Sequence, residues 1–300
     1  MQTILIVNPQ ANRGQAGRLL PQIFNTLNQL TIPFVIQQTT APNQAGSLAY
    51  QAVKDGYERV VAVGGDGTCN EVVNGLLRAA QAGHEAILGI IPLGSGNDLA
   101  FALKIPFDLT AACRRLTEGG ETSIDVGLVT VDGQSRYFAN NLGLGLDAEV
   151  VVDTANKRLF SGFAMYLWSV FKIIARGQWP YPMAFSLDEQ TWQQSLTLIT
   201  VANGIRAGGG FLLTPNAKLD DALFDICFAG ALSKLRLLDL LPKTFNGSHV
   251  HHPAVTMAQA RQVKILVPDG VAAHIDGEVL CHAGQEFEVT ILPHALQVWR

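Results

Sequence analysis

Residues Val60-Val61-Ala62-Val63-Gly64-Gly65-Asp66-Gly67-Thr68-Cys69-Asn70-Glu71 read as an apolar strand that runs into three glycines and then into a helix. Without a Cβ, backbone N–H groups can approach a phosphate closely, and a helix start adds the positive end of its dipole. An acid among such amides repels an anion unless a cation intervenes, so Asp66 points to Mg²⁺ beside the phosphates. Thr68 and Glu71 also satisfy the Thr-x-x-Glu pattern of a capping box, in which case they do no more than start the helix.

Outward from this stretch, strand and helix signals alternate. Ile4–Val7, Phe34–Gln38, Arg59–Val63 and Ile87–Ile91 are short apolar runs, and amphipathic stretches lie around Leu19–Leu30, Ala45–Val53 and Asn70–Ala82. Continuous apolar strands are buried on both faces of a parallel sheet, and their alternation with helices builds βαβ units. The expected fold class is therefore α/β, with a doubly wound, mostly parallel sheet. A second glycine loop, Pro92-Leu93-Gly94-Ser95-Gly96-Asn97-Asp98, joins the next strand to a helix start. In open α/β sheets ligands sit beyond the carboxyl ends of the strands, which sets both loops on one edge. Taken alone, Asp98 is equally well read as a helix-start acid.

Beyond about residue 127 the texture changes to alternating, β-rich segments. Leu196–Val201, Phe224–Phe228, Val263–Val267 and Phe287–Ile291 read as strands, with Asp-Gly turns at 132–133, 269–270 and 276–277. Helical stretches interrupt them near Phe160–Ala175 and Ser233–Leu241. The expected domains are residues 1–127, α/β, and 128–300, β-rich and sandwich-like, with the last strand returning to the first domain.

Composition narrows the function classes. The 300 residues are 48% hydrophobic and 15% charged, which excludes a disordered chain, and a net charge of −4 disfavours nucleic acid as a partner. Cys69, Cys113, Cys227 and Cys281 are scattered without a CxxC pair, so neither a disulfide framework nor a cysteine zinc site is indicated. The start, MQTILIVNPQ, reads as a strand rather than a signal peptide, and the apolar stretch Leu159–Ala175 carries Lys172 and is short for a membrane span. A cytoplasmic protein is expected. No G-x-x-x-x-G-K-[ST] is present; Gly143-Leu144-Gly145-Leu146-Asp147-Ala148 fits only the loose dinucleotide fingerprint, outside a clear βαβ unit. His249, His251 and His252 are read as an exposed histidine-rich loop, with a metal grip as the alternative.

Gly64-Gly65-Asp66-Gly67-Thr68-x-Asn70-Glu71 followed by Gly94-Ser95-Gly96-Asn97-Asp98 resembles the diacylglycerol kinase catalytic domain, and within that superfamily the soluble bacterial lipid kinases. The likeness continues through Ile124-Asp125-Val126-Gly127, Asn140-Asn141-Leu142-Gly143, Ala217-Lys218-Leu219-Asp220-Asp221 and His274-Ile275-Asp276-Gly277-Glu278. The resemblance implies an NAD-kinase-like, ATP-binding first domain and a sandwich-like second domain that takes the acceptor. It implies that Asp66, Asp98 and Asp125 organise the catalytic Mg²⁺, largely through water. Nucleotide contacts would fall to Asn8, Thr39 (Thr40 is a close rival), Gly65, Asp66, Gly67, Thr68, Asn70, Glu71, Gly94, Ser95 and Asn97. Glu278 would be the general base, acting with Asp66 in catalysis. A structural Mg²⁺ would bind Asp221 with the carbonyls of Lys218 and Leu223, although Ala222 stands where relatives often have glycine.

Transfer of a phosphoryl group demands positioning and charge neutralisation more than covalent chemistry. Glu278 follows an Asp-Gly turn that could project it toward the acceptor; a solvated turn glutamate is the alternative. The acceptor is expected to be a lipid alcohol such as diacylglycerol or phosphatidylglycerol, reached by transient peripheral contact with a membrane. Phe160, Phe163, Met165, Tyr166, Trp168, Phe171 and Ile174 crowd one helical stretch that is either amphipathic core, the wall of an acyl groove, or a bilayer contact. Lys234, Arg236 and Lys243 flank leucines in a second helix, as a solvated edge or an anionic-lipid contact. A homodimer stays open. Rival readings are an NAD kinase or another small-molecule kinase, which share Gly-Gly-Asp-Gly-Thr, and a non-catalytic nucleotide- or lipid-binding module. Asn70-Glu71 and Asp276-Gly277-Glu278 favour the lipid branch.

Overall fold

Four short strands, β1 (Thr3–Val7), β2 (Phe34–Gln38), β3 (Arg59–Gly64) and β4 (Ile87–Pro92), pair in parallel in the order β2-β1-β3-β4 in a computed structural model of the chain. The described residues are 1–155, 163–177 and 179–300, with the backbone alone for 163–165. The chain divides into one unit of Met1–Asp125 with His294–Arg300 and another of Val126–Pro293.

In the first unit the strands are joined by α1 (Ala11–Gln29), α2 (Ala45–Lys54) and α3 (Asp66–Gln81), followed by the short α4 (Asp98–Ala102) and by α5 (Leu109–Glu118). Leu5, Val7, Val61, Val63 and Ile91 bury against Ile23 and Leu27 of α1 and Cys113 and Leu116 of α5. The alternate residues Ile4, Ile6, Val60, Ala62 and Ile90 are equally buried, on the side where α2 and α3 pack. Both faces of β1, β3 and β4 are therefore covered, which is why these three read as unbroken apolar runs, whereas β2 lies at the sheet edge with Val35 exposed. Glycine is required where α2 meets α3: a Cβ on Gly75 would lie 2.3 Å from the carbonyl oxygen of Gly46. The last seven residues complete this unit. Val298 pairs with Leu88 in parallel, the Trp299 indole N–H donates to the Arg115 carbonyl at 2.9 Å, and the Arg59 guanidinium lies 4.5 Å over the Trp299 ring.

Strand β5 (Glu121–Val131) leads into the second unit, which continues through β6 (Gln134–Phe138), β7 (Asn141–Gly145), α6 (Leu146–Ala155), α7 (Phe163–Arg176), β8 (Tyr181–Leu187), β9 (Gln190–Ala202), β10 (Phe224–Gly230), α8 (Lys234–Thr244), β11 (Val255–Ala260), β12 (Gln262–Ile275) and β13 (Glu278–Trp299). Within it β11-β10-β9-β7-β12-β13 are neighbours in that order, every pairing antiparallel, and β8 pairs with both β9 and β12. Phe138, Phe185, Phe224, Phe228 and Phe287 sit in its core.

Several expectations are corrected here. The helix expected at Asn70 begins at Asp66, with Gly65 as its N-cap, so Thr68 lies inside the first turn and no capping box forms. Glu71 instead accepts the amide of Ala45 at 2.8 Å and thereby caps the start of α2. Asp132-Gly133 and Asp276-Gly277 turn with positive φ at both residues, the type I′ geometry of a two-residue hairpin. Asp269-Gly270 does not turn the chain: it lies within β12, where the register slips between Leu266 and Val271. Helices α5 and α6 have no counterpart in the expected element list.

Candidate active site

The carboxyl ends of the four parallel strands carry the glycine loops of the first unit. Asn8, just past β1, anchors to the next strand but one through its amide, which donates to the Val63 carbonyl at 3.0 Å. Its side-chain Nδ2 donates to the Thr68 hydroxyl at 3.1 Å. At the end of β2 the Thr40 amide and hydroxyl both donate to Gln44 Oε1, at 2.7 and 3.1 Å. The Thr39 amide donates to the Val7 carbonyl at 2.9 Å, which places Thr39 beside the end of β1.

The two glycine loops meet. A Cβ on Gly94 would fall 2.3 Å from the Cα of Gly65, so no side chain fits at that seam. Asn97, at φ 54°, closes the second loop on itself: its Oδ1 accepts the Gly94 amide at 2.8 Å and its Nδ2 donates to the Gly94 carbonyl at 3.0 Å. Asp66 ties the loops together, its carboxylate accepting the amides of Asn97 at 2.7 Å and Asp98 at 2.6 Å. Asp66 thus has an ordinary structural task, capping α4, which the sequence alone did not suggest. Gly67 is half-buried, Ser95 exposed, and Asn70 buried within α3, where its carbonyl accepts from the Asn74 side chain at 2.9 Å.

Asp98 is buried, and Asp125 is fully buried. Asp125 Oδ1 accepts the amide of His294 at 2.7 Å, where β13 enters this unit with His294 at φ 52°. Among the described residues, no three His, Cys, Asp or Glu side chains converge into a ready-made metal cluster. Mg²⁺ does not require one, because it keeps several waters and binds through one or two carboxylates plus substrate phosphates. The hard oxygen donors of Asp66, half-buried beside a seam that a Cβ would fill, have the chemistry that suits it.

One feature near this edge was missed at the sequence level. Asn12, Arg13 and Gly14 follow one another at φ 49°, 58° and 79° between β1 and the regular part of α1. Successive amides in such left-handed turns form anion-binding concavities. The spacing of Asn and Gly, residue types that tolerate this region, was the available signal.

In the second unit, Glu278 opens β13 and pairs with Ile275 across the Asp276-Gly277 turn. Its residue is exposed, whereas Asp276 is buried. At the other acidic group, the Leu223 amide donates to Asp221 Oδ1 at 3.3 Å, and Ala222 between them holds φ 60°. A non-glycine residue pays roughly 1–2 kcal/mol for that conformation, which is the physical reason for glycine there. Burial raises the pKa of nearby Asp225, and the Asp221 carboxylate adds to the rise against the hydrogen bond from Gln259. One carboxylate and two carbonyls are donors a hard cation accepts.

An apolar cavity of about 90 Å³ lies among α6, α7, α8 and the strands β9 and β10. Leu146, Val150, Tyr166, Val170, Ile174 and Phe211 line it, together with Cys227, whose thiol burial pushes up to about 12, and His249, whose pKa burial lowers. His249 is therefore not part of an exposed loop: it is 2% exposed, with Nε2 against the Leu213 carbonyl at 3.1 Å. On α7, Tyr166 and Ile174 face this cavity while Trp168 and Phe171 are exposed; Phe160 and the side chains of Phe163 and Met165 lie outside the described residues. The loose fingerprint ending in Asp147-Ala148 is occupied internally, since Asp147 Oδ1 accepts the Ala148 amide at 2.9 Å and Oδ2 the Thr200 hydroxyl at 3.1 Å. No helix among the described residues is long and apolar enough to cross a membrane.

Residues 2–129 match the family described as "Diacylglycerol kinase catalytic domain", and residues 140–300, more than half of the chain, match "YegS C-terminal NAD kinase beta sandwich-like domain". The chain is 28% identical over 276 residues to a diacylglycerol kinase of Staphylococcus carnosus, covering 91% of this chain and 87% of the relative. It is 29% identical over 277 residues to a diacylglycerol kinase of Bacillus subtilis, covering 91% and 88%. A crystal structure of a diacylglycerol kinase from Bacillus anthracis superposes with a TM-score of 0.74 over 99% of this chain and 96% of that one, at 20% identity, a likeness of fold. With both halves matched in order, the chain belongs to the diacylglycerol kinase catalytic-domain superfamily.

Proposed function

We propose that this protein is an ATP-dependent lipid kinase that transfers the γ-phosphate of ATP to the hydroxyl of a lipid alcohol, diacylglycerol or a related glycerolipid such as phosphatidylglycerol. The observation that carries this reading is the seam between Gly65 and Gly94, where two glycine loops at the carboxyl ends of β3 and β4 meet, tied by the Asp66 carboxylate, with no room for a side chain. Such a seam suits a polyphosphate. The apolar cavity of the second unit supports a hydrocarbon-bearing acceptor.

In this reading Asn8, Thr39, Gly65, Gly67, Thr68, Gly94, Ser95 and Asn97 orient the nucleotide, with the Asn12–Arg13 backbone beside them. Asn70 and Glu71 act less directly, by holding α3 and the start of α2. Asp66, Asp98 and Asp125 would hold Mg²⁺, which when bound neutralises charge on the phosphate oxygens. Asp221 and the carbonyls of Lys218 and Leu223 would hold a second ion with a structural task. Glu278 accepts the proton of the acceptor hydroxyl as that oxygen bonds to the γ-phosphorus and the bond to the β-phosphate oxygen breaks, leaving ADP. The decisive test is transfer from γ-labelled ATP to a lipid panel, with the products identified by mass. A labelled phosphatidic acid or phosphorylated glycerolipid is expected. Label in NADP instead, or none in any lipid, would overturn the reading.

The acceptor resides in a membrane, and α8 supports a transient contact there. It buries Leu237 and Leu240 yet exposes Leu235, Leu238 and Phe245, spaced along one side and flanked by Lys234, Arg236 and Lys243. Trp168, 67% exposed, and Phe171 add to the apolar surface on α7. Replacing both Leu235 and Leu238 by Ser is expected to lower the fraction bound to anionic vesicles about tenfold or more, given the value of two buried leucines. Unchanged sedimentation with vesicles would remove this surface from the account.

A further inference from the structure

A two-residue hairpin needs only Asp-Gly or Asn-Gly to reverse the chain. The turn between β12 and β13 meets that need, with Asp276 at φ 49° and Gly277 at φ 82°. The Asp276 carboxylate does more than this. Its residue is 8% exposed, and it accepts three consecutive backbone amides: Ala139 at 3.0 Å, Asn140 at 2.9 Å and Asn141 at 2.9 Å. The Asp276 amide returns a bond to the Asn141 carbonyl at 2.9 Å. His274 supports the same turn, with Nδ1 accepting the Gly277 amide at 3.4 Å and Nε2 facing Asp147 Oδ2 at 3.5 Å. With Nδ1 as acceptor, the ring proton sits on Nε2, toward Asp147.

A hairpin tip ordinarily lies in water, where its aspartate is solvated. Here the tip is gripped from the β6–β7 connection, and the residue that follows it is Glu278. We infer that Asp276 is a positioning residue for Glu278: its three-amide clamp fixes the backbone from which the Glu278 carboxylate reaches the acceptor hydroxyl. This rests on the reading of Glu278 as the proton acceptor.

Asp276→Asn tests it, because Asn keeps the size and the turn preference but sets an N–H donor against backbone N–H groups. The kcat for lipid phosphorylation is expected to fall about tenfold to a hundredfold with KM for ATP unchanged, as for a misplaced reacting group. In the Glu278→Gln background the same substitution should change the residual rate by less than about twofold, since no carboxylate is left to aim. A full additional loss in that background, or wild-type kcat in folded Asp276→Asn, would overturn the inference. Should Asp276→Asn not fold, Gly277→Ala loosens the same turn without removing any side chain or adding an atom against a buried one: the φ is strained for alanine, and a Cβ there meets nothing within 4 Å. It too should lower kcat alone, and wild-type kcat would again overturn the clamp. Wild-type turnover by Glu278→Gln by itself would take down the base reading and this inference together. That outcome is told apart because no change at the turn is needed to see it.

Discussion

Glu278→Gln is expected to lower kcat by about a hundredfold to ten-thousandfold, the range of a lost general base, while ATP binding and the melting temperature are expected to stay at wild-type values. The stability half of this expectation follows from exposure: Glu278 opens β13 at the surface of its unit, so an isosteric change leaves little packing to lose. The chemical half follows from what an amide cannot do. Gln keeps the length and one acceptor oxygen but cannot take up a proton at neutral pH, so acceptor binding survives and deprotonation does not. Steady-state turnover on diacylglycerol vesicles, with ATP binding measured by calorimetry, separates the two. Turnover near wild type would remove Glu278 as the base.

Asp66→Ala has two effects that must be read apart. Loss of the carboxylate is expected to lower Mg²⁺-dependent turnover about a thousandfold, in line with removing a charge that organises a transferring phosphate. It also deprives the amides of Asn97 and Asp98 of their acceptor. Hydrogen bonds to charged groups are worth ~1.5–3 kcal/mol each, and the half-exposed setting of Asp66 brings the pair to about 2 kcal/mol. The melting temperature should fall by roughly 4–8 °C. Asp66→Asn preserves one of the two acceptors and so should restore part of the stability but little of the turnover. Full activity in folded Asp66→Ala would break the Mg²⁺ argument.

The glycine loops were legible because their signal is local: strand, glycines and helix start follow one another within a dozen residues. What Asp66 does with its carboxylate was not, because the amides it accepts come from the loop 31 residues later. The same distance effect undid the capping box, since Glu71 found the start of α2 instead of its own helix start. Beyond residue 127 the three Asp-Gly pairs carry one local meaning, yet 132–133 and 276–277 turn while 269–270 bulges inside β12. Only the pairing of β12 with its neighbours decides between them. The polarity of Ser248-His249-Val250-His251-His252 argued for an exposed loop, but the ring of His249 is enclosed by Leu213 and Cys227, contributed by segments upstream of it in the chain. Length does not explain why α5 was missed, since α2 is equally short and was read; Leu109, Ala112, Cys113 and Leu116 at helical spacing were the available signal, whereas the run Val150-Val151-Val152 in α6 gives no such stripe.

The first unit is made of two pieces of chain, and the second piece emerges late. Residues 294–300 supply the Val298 pairing to Leu88 and the Trp299 indole that seats on Arg115 and Arg59. During vectorial synthesis at ~5–20 residues per second, the ribosome must first produce all of 126–293, a delay of roughly ten to thirty seconds. For that interval the groove beside β4 stands open, and Asp125 lacks the amide that His294 later brings. Nascent chains stalled before residue 294 should therefore be more readily nicked by protease within 1–125 than chains released beyond it.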